Sequence, residues 1–477
     1  MKKVLFQFEY KHWLLQPVTL LLLLLWVVIL LYAVGSGKTD VQRQLQQHDS
    51  LVLLQQQNQA AHVAQMDSFS TGKKTIQAVW EDPSNAYMIG ESHGKRYFAK
   101  KPLPLSFLSS GQSQLHHNVQ TLSTSPDSWF MTMKKAARLN NPHNTLFGKM
   151  DVSFVLLYLF PLLIIAFNFS MLSAEKEDGR LPILAAQGLS VKQLLWHKTG
   201  FRFAVITLLT ILVVAAGYFY HNISAETFSF NSIGYIAAII LYSLWWHTLC
   251  IWVNLLKRGS DFNAGVLFTS WIALVMVIPA LVTVLITTVQ PTRSKMQLMD
   301  EVRETLTEFD RKNAQILDAY YTDHPELVIK DSSKLMPVYM YKYMIKYKHT
   351  LEALQPVMDA YKKQALSQAQ TAAYLSVVSP AMLLQETSDE YSGNAQTQFL
   401  QFEVAADIAV KEWNAYFTPK SLGNQQLSIA EFQQLPHPVF NNTISSAKIA
   451  YLIACMLLWL VLLAVLIKIR IKKYTLI

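Results

Sequence analysis

A few short constellations in this chain carry residue types capable of chemistry. Gly35-Ser36-Gly37-Lys38-Thr39 has the ending of a phosphate-binding loop. The earlier glycine of that motif would fall at Tyr32, and the segment leaves an apolar run rather than a strand. Its amides are therefore not expected to converge on phosphate. Met336, Met340 and Met344 share a helical face near His349; thioethers are soft metal ligands, but at this spacing methionine more often fills a core. His116-His117 reads as a surface pair. Asn168, His247 and Asn254 sit inside apolar runs, where each must either line a substrate path or hydrogen-bond a neighbouring helix. Glu175, Glu177, Gly179, Arg180 and Leu181 form an acidic turn that leads into an amphipathic stretch, Leu181–Trp196, ending at Lys198. Its apolar stripe of Leu184, Leu189, Leu194, Leu195 and Trp196 suits an interfacial helix with one exposed face. HExxH, paired-cysteine and ABC-type ATPase signatures are absent from the sequence, so neither catalytic residues nor a metal site are expected and the chain is not read as an enzyme.

These groups are positioned by elements that composition reveals. Of 477 residues, 52% are apolar and 15% charged, with mean hydropathy +0.21; a soluble domain carries roughly 25% charged residues. A bilayer core needs about 20 apolar residues as helix. Six segments qualify: Pro17–Val34, Val152–Leu172, Phe203–Tyr220, Ile233–Leu256, Ala264–Val289 and Ile449–Ile467. Gly35, Gly179, Gly259 and Pro291 read as flanking turn residues. The basic clusters fall on one side when six spans alternate. They are Lys2, Lys3 and Lys11; Lys176, Arg180, Lys192, Lys198 and Arg202; Lys257 and Arg258; and Lys468, Arg470, Lys472 and Lys473. The rule that Lys and Arg favour the cytoplasmic side then puts both termini in the cytoplasm, with an N-terminal segment 1–16 and a tail 468–477. The first span is read as retained rather than as a cleaved signal peptide. The formal charge of +9 follows largely from this topology, which removes the case for nucleic-acid binding.

Residues 36–150 and 290–447 then share the far side of the membrane. Neither contains cysteine, so both rest on packing rather than disulfides. Val41 to Met66 reads as helix; beyond Thr71-Gly72, residues Val79, Tyr87, Ile89, Tyr97 and Phe98 among turn formers suggest short strands or irregular structure. In the second segment Met299, Val302, Leu306, Phe309, Asn313, Ile316 and Tyr320 form one apolar seam, with further helices expected over Leu351–Leu375 and Phe399–Tyr416. The first segment holds 12 basic and 7 acidic residues and the second 14 and 18; opposite net signs favour docking of the two.

The loop Glu175, Glu177, Gly179, Leu181 resembles the first cytoplasmic loop of permease subunits of type-2 ABC transporters, whose pattern is E-x-E-x-G-T-L, with Arg180 standing where Thr is usual. Phe8-Glu9-Tyr10-Lys11-His12-Trp13 resembles that family's interfacial elbow helix, with Phe8, Glu9 and Trp13 as its landmarks. Most of the chain is similar to a branch with a large extracytoplasmic insert of unknown function, grouped with permeases linked to multi-copper enzyme maturation. The similarity runs through Glu81-Asp82-Pro83, Gly111-Gln112-Ser113, Asn141-Pro142, Gly148–Asp151, Pro161-Leu162-Leu163, Ser379-Pro380-Ala381, Phe399 to Trp413 and Phe417-Thr418-Pro419. The resemblance implies a mainly α, type-2 ABC exporter-like membrane protein of the bacterial inner membrane, with two extracytoplasmic inserts forming a mostly helical periplasmic domain. It implies a coupling loop, 173–202, gripped by a cytoplasmic ABC ATPase dimer, and pairing with a second permease chain, identical or related. ATP and Mg would belong to that ATPase, with no cofactor in this chain. Export through the dimer is one expectation; movement of the outer segments against an envelope partner, without translocation, is a second, and a membrane scaffold or sensor a third.

Overall fold

The computed structural model describes residues 7, 9–72, 81–111, 113, 116, 118–125, 150–221, 230–291, 294–323, 325 and 338–472. It is 79% helical, and its described residues hold one two-stranded sheet. Among the described residues six helices are long and apolar enough to cross a bilayer, as in a multi-pass membrane protein. They are α1 (Pro17–Ser70), α2 (Val152–Glu177), α4 (Val191–Tyr220), α5 (Phe230–Asn254), α6 (Ser260–Val289) and α13 (Ser446–Lys472), with the short α3 (Arg180–Ala186) between α2 and α4.

The spans lie where hydropathy puts them, with two differences. The expected amphipathic stretch Leu181–Trp196 is broken at Gly188 (φ +78°), and its second half begins α4 at Val191, twelve residues before the apolar run at Phe203. Gly35 does not end the first helix; α1 runs unbroken for 54 residues, about 80 Å at about 1.5 Å per residue. The would-be phosphate loop is thus mid-helix, its amides committed to the helical ladder, and Lys38 donates to the Tyr220 carbonyl at 3.2 Å. Gly37 has a packing role instead. A Cβ there would lie 2.3 Å from the Phe107 carbonyl oxygen, so only glycine lets that loop touch α1.

Two spans carry π-helical turns, Val155–Leu159 and Ala273–Val277, followed by Pro161 and Pro279. Proline has no N–H to donate to the preceding turn, and an unsatisfied carbonyl is costly in a bilayer. Side chains supply the missing donors. Tyr242 Oη reaches the Leu157 carbonyl at 3.2 Å, Trp271 Nε1 the Tyr158 carbonyl at 3.1 Å, and Ser379 Oγ the Leu274 carbonyl at 2.6 Å.

Ser379 begins the next layer. The segment between the fifth and sixth spans contains α7 (Lys295–Arg311), α8 (Asn313–Asp323), α9 (Val338–Leu375), α10 (Pro380–Ser392), α11 (Gln396–Leu422) and α12 (Ile429–Gln433). The expected single seam breaks at Lys312, between α7 and α8; Val302 and Phe309 are buried as the seam requires, together with Leu298. Sequence reasoning missed α10 as a helix. It wedges its Leu383, Leu384 and Tyr391 into the core of the spans, and Gly234 on α5 leaves room for the Tyr391 hydroxyl, which would stand 2.0 Å from any Cβ.

The segments 36–150 and 290–447 do dock. Met66, Ile89, Phe98 and Leu122 from the first share a core with Phe402, Trp413, Phe417 and Phe432 from the second, and Trp413 Nε1 donates to the Gly90 carbonyl at 3.1 Å. Each large side chain so buried contributes about 1.5–3 kcal/mol. The contact is apolar and hydrogen-bonded at its centre; His116 Nδ1 adds a contact to the Glu403 carboxylate at 3.2 Å. Strand β1 (Arg96–Ala99) pairs antiparallel with β2 (Val119–Leu122) on this core, in the stretch expected to hold short strands, whereas Tyr87 and Ile89 lie in helical turns. Val79, Asn141-Pro142, Gly148-Lys149 and Met336 lie outside the described residues.

Candidate functional site

At the end of the bundle opposite the module that these two segments form, the acidic loop, the N-terminal turn and α4 converge on a buried charge cluster. Tyr10–Leu14 forms a π-helical turn preceded by Glu9. Trp13 fixes it by packing edge-on against Phe167 at 5.2 Å and Phe201 at 5.9 Å. Glu9 thereby enters the protein, where its carboxylate lies 3.3 Å from Arg202 Nε and 3.7 Å from Lys198 Nζ. Lys198 also reaches Glu175 at 2.6 Å, and Arg180 closes the chain at 3.1 Å from Glu175. Glu9, Glu175, Lys198 and Arg202 are each under 10% exposed. Two carboxylates and two cations cancel, and only such mutual neutralisation makes burial of four charges tolerable.

Each partner arrives by local rules. Ser190 caps α4 through a reciprocal bond with Gln193, and the helical period then sets Lys198 and Arg202, four residues apart, on one face. Gly179 takes the left-handed conformation, φ +69°, to turn α2 into α3. Arg180, the departure from the family pattern, pairs with both Glu175 and Asp178. Glu177 points elsewhere: its carboxylate accepts from the Ser260 N–H at 2.7 Å and the Ser260 hydroxyl at 2.8 Å, at the first turn of α6, where a negative charge meets the positive helix end. The loop therefore touches α4 through Glu175 and α6 through Glu177. Leu181 and Leu184 pack on the small core beneath, with Met171, Leu194, Leu195 and Ile467. Ile183 and Trp196 remain exposed.

The intramembrane polar residues divide. Asn254 bridges helices: Oδ1 accepts the Leu172 N–H at 3.0 Å, and Nδ2 donates to the Asn168 and Cys250 carbonyls at 3.0 and 2.9 Å. Asn263 adds a donor to the Phe169 carbonyl at 3.2 Å. Asn168 Nδ2 donates to the Ile164 carbonyl, and its Oδ1 has no partner among the described residues. His247 Nδ1 lies 2.8 Å from the Ser243 carbonyl. An oxygen that can only accept puts the proton on Nδ1, leaving Nε2 a bare acceptor. All three residues are fully enclosed by this one chain. Phe8 lies outside the described residues.

Ser260 and Asn263 were not singled out from the sequence, and Arg202 was read only as one member of a basic cluster. For Arg202 and Asn263 the available signal was a charge or amide directly before an apolar run.

At the opposite end a second cluster joins α10 to the spans. Asp389 accepts from Ser109 Oγ at 2.5 Å and from Gln385 Nε2 at 2.9 and 3.0 Å; burial still pushes its carboxyl up to about 7. Lys448, at the start of α13, pairs with Glu386 at 2.5 Å and Glu390 at 2.9 Å. Lys100 donates to the Gly393 carbonyl and stands 3.7 Å above the Phe399 ring; burial draws its ammonium down to about 7.

Set beside known proteins, no curated protein and no solved structure matches this chain. Residues 295–441, the stretch from α7 through α12, match the family described as a domain of unknown function, DUF3526.

Proposed function

We propose that this chain is the membrane subunit of an ATP-driven transporter of the type-2 ABC kind, with both termini and residues 173–202 in the cytoplasm and residues 36–150 and 290–447 in the periplasm. A separate ATPase dimer binds ATP and Mg and presses on α3 and the start of α4; a second permease chain completes the assembly in the inner membrane. The observation that carries this reading is the buried network Glu9–Arg202/Lys198–Glu175–Arg180. It binds the N-terminal turn, the acidic loop and α4 into one body, so a push on the loop is delivered to spans instead of being absorbed locally. Exposed Ile183 and Trp196 supply an unpartnered apolar face for the ATPase.

Export is the first form of this function. The second, transmission of movement to an envelope partner without translocation, is favoured by the unbroken α1 and by α10, which ties the outer module directly to the spans.

Co-purification tests the proposal. Wild-type chain should carry an ATP-binding subunit, and Trp196→Asp with Ile183→Asp, both on the surface, should release it while leaving thermal stability within about 0.5 kcal/mol. Retention of the ATPase by that variant, or modification of a cysteine placed at Lys192 by an impermeant reagent from outside, would falsify the assignment.

A further inference from the structure

Side chains tie the connection between α9 and α10 to the spans at successive levels, and these levels fix its depth. Gln368 Nε2 on α9 donates at 3.2 Å to the carbonyl of Gln290, the residue that closes α6. Further along, the Tyr451 hydroxyl of α13 donates to the Tyr374 carbonyl at 3.3 Å. Trp459 Nε1 donates to the Val377 carbonyl at 2.7 Å, and Ser379 Oγ to the Leu274 carbonyl at 2.6 Å. Trp459 lies ten residues into the apolar run 449–467, and Leu274 fifteen residues from the end of the run 264–289. At about 1.5 Å per residue these positions are about 15 and 22 Å from the ends of their runs, in an apolar core about 30 Å thick.

Helix α10 then returns to the level it left. Ser388 Oγ lies 3.3 Å from Tyr235 Oη, near the start of α5, and Glu390 pairs at 2.9 Å with Lys448, near the start of α13. The chain thus enters among the spans and comes back on the side it entered from.

The composition and bonding of this stretch suit hydrocarbon. Between Lys363 and Glu386 the sequence has no Asp, Glu, Lys, Arg or His, within a segment otherwise rich in charge. The end of α9 and the 3-10 turn Ser376–Val378 leave carbonyls without helical donors. Protein groups meet them: α13 serves Tyr374 and Val377, Ser376 Oγ donates to the Ala373 carbonyl at 2.6 Å, and the Ser379 N–H to the Ser376 carbonyl at 3.2 Å. Irregular backbone is tolerated at membrane depth only when it is satisfied in this way. Tyr374 and Val378, in contrast, carry large apolar side chains that are exposed.

We propose that residues 369–385 form a re-entrant hairpin, inserted into the membrane from the side of segment 290–447, with its turn near the middle of the bilayer and with Tyr374 and Val378 in contact with lipid acyl chains. Part of 290–447 then lies within the membrane and presents a lipid-binding surface there. The inference needs only that the six spans cross a bilayer; it stands or falls apart from ATP coupling.

Nitroxide labels on single cysteines of the full chain, in phosphatidylcholine nanodiscs, test it. Cys250 and Cys455 are buried, and the unsubstituted chain serves as the labelling blank. Oxygen concentrates in the bilayer, whereas a water-soluble nickel chelate is excluded from it. Labels at Tyr374→Cys and Val378→Cys should behave like one at Leu458→Cys, an exposed position on α13, relaxed by oxygen and largely shielded from the chelate, Val378 more so than Tyr374. A label at Lys363→Cys, exposed before the hairpin, should show the reverse preference. Val378→Asp should lower the melting temperature in nanodiscs and Lys363→Asp leave it unchanged, because a charge is costly only at bilayer depth. A chelate that reaches Val378 as readily as Lys363 would put the turn in water; exclusion of both reagents would mean that protein covers it; an unchanged melting temperature for Val378→Asp would remove the hydrocarbon. Each of these results overturns the proposal.

Discussion

The Ser379 hydroxyl donates to the Leu274 carbonyl across 2.6 Å, so the residue that caps the wedge helix α10 repairs a main-chain vacancy in the fifth span. Pro279 creates the vacancy; Ser379, from more than a hundred residues away in sequence, fills it and also caps α10 through the Ala381 N–H at 3.2 Å. Ser379→Ala should cost about 1–3 kcal/mol, the range for stranding a buried acceptor. In a Pro279→Ala background the carbonyl regains a helical donor and the cost of Ser379→Ala should shrink. Thermal unfolding of the four proteins of this cycle in detergent measures the coupling.

Glu175→Gln strands Lys198 beside a single distant carboxylate, Glu9 at 3.7 Å. Breaking one member of a buried pair costs about 3–5 kcal/mol, whereas replacing both partners with apolar groups is close to neutral. Glu175→Gln should therefore lower the melting temperature sharply, and Glu175→Leu with Lys198→Met should restore most of it. Glu177→Gln, at the exposed contact with Ser260, should cost less than about 1 kcal/mol.

Gly35 and Gly37 are two residues apart on the same helix and should respond oppositely. A Cβ on Gly35 meets nothing within 4 Å, while one on Gly37 meets the Phe107 carbonyl at 2.3 Å. Gly35→Ala should stabilise by up to about 1 kcal/mol; Gly37→Ala should destabilise by about 1–3 kcal/mol. Unfolding midpoints in a common detergent separate the two.

Asp389 and Lys100 predict a pH dependence with two limbs. The folded-state value for Asp389, about 7, lies above the unfolded value of about 3.9. The native state then holds more protons than the unfolded state between those values, so this group lowers stability as pH rises from about 4 to 7, with no further change above. Lys100, about 7 when folded against about 10.4 unfolded, binds fewer protons when folded, so its contribution raises stability from about pH 7 to 10. Asp389→Asn should flatten the acid-side limb and Lys100→Met the alkaline one, read as melting temperature against pH.

The spans were legible because a bilayer imposes one length and one polarity on every crossing helix. The positions of Glu9, Glu175, Glu177 and Lys198 were legible too, as charges at the ends of apolar runs. Their mutual pairing was not, since it depends on how Trp13 seats against Phe167 and Phe201. The unbroken course of α1 was hidden by glycines that ordinarily mark a turn; at Gly37 the constraint is the distant Phe107 carbonyl, which leaves no local trace. Helix α10 escaped notice because Thr387, Ser388, Asp389 and Glu390 dilute its apolar face; Thr387 bonds within the helix, to the Leu383 carbonyl, while Ser388, Asp389 and Glu390 are met by Tyr235, Ser109 and Lys448 from other parts of the chain. Opposite net charge led to the expectation that segments 36–150 and 290–447 meet; they do, but through a mainly aromatic core rather than through charge.

An uninterrupted α1 has a mechanical consequence. With no proline after Pro17 to bend it, rotation of its membrane-embedded base is conveyed along a rod whose distal part, residues 35–70, is about 54 Å long. A tilt of about 5° at the bilayer surface therefore sweeps the Ser70 tip through about 5 Å, an amplification set by helix geometry alone.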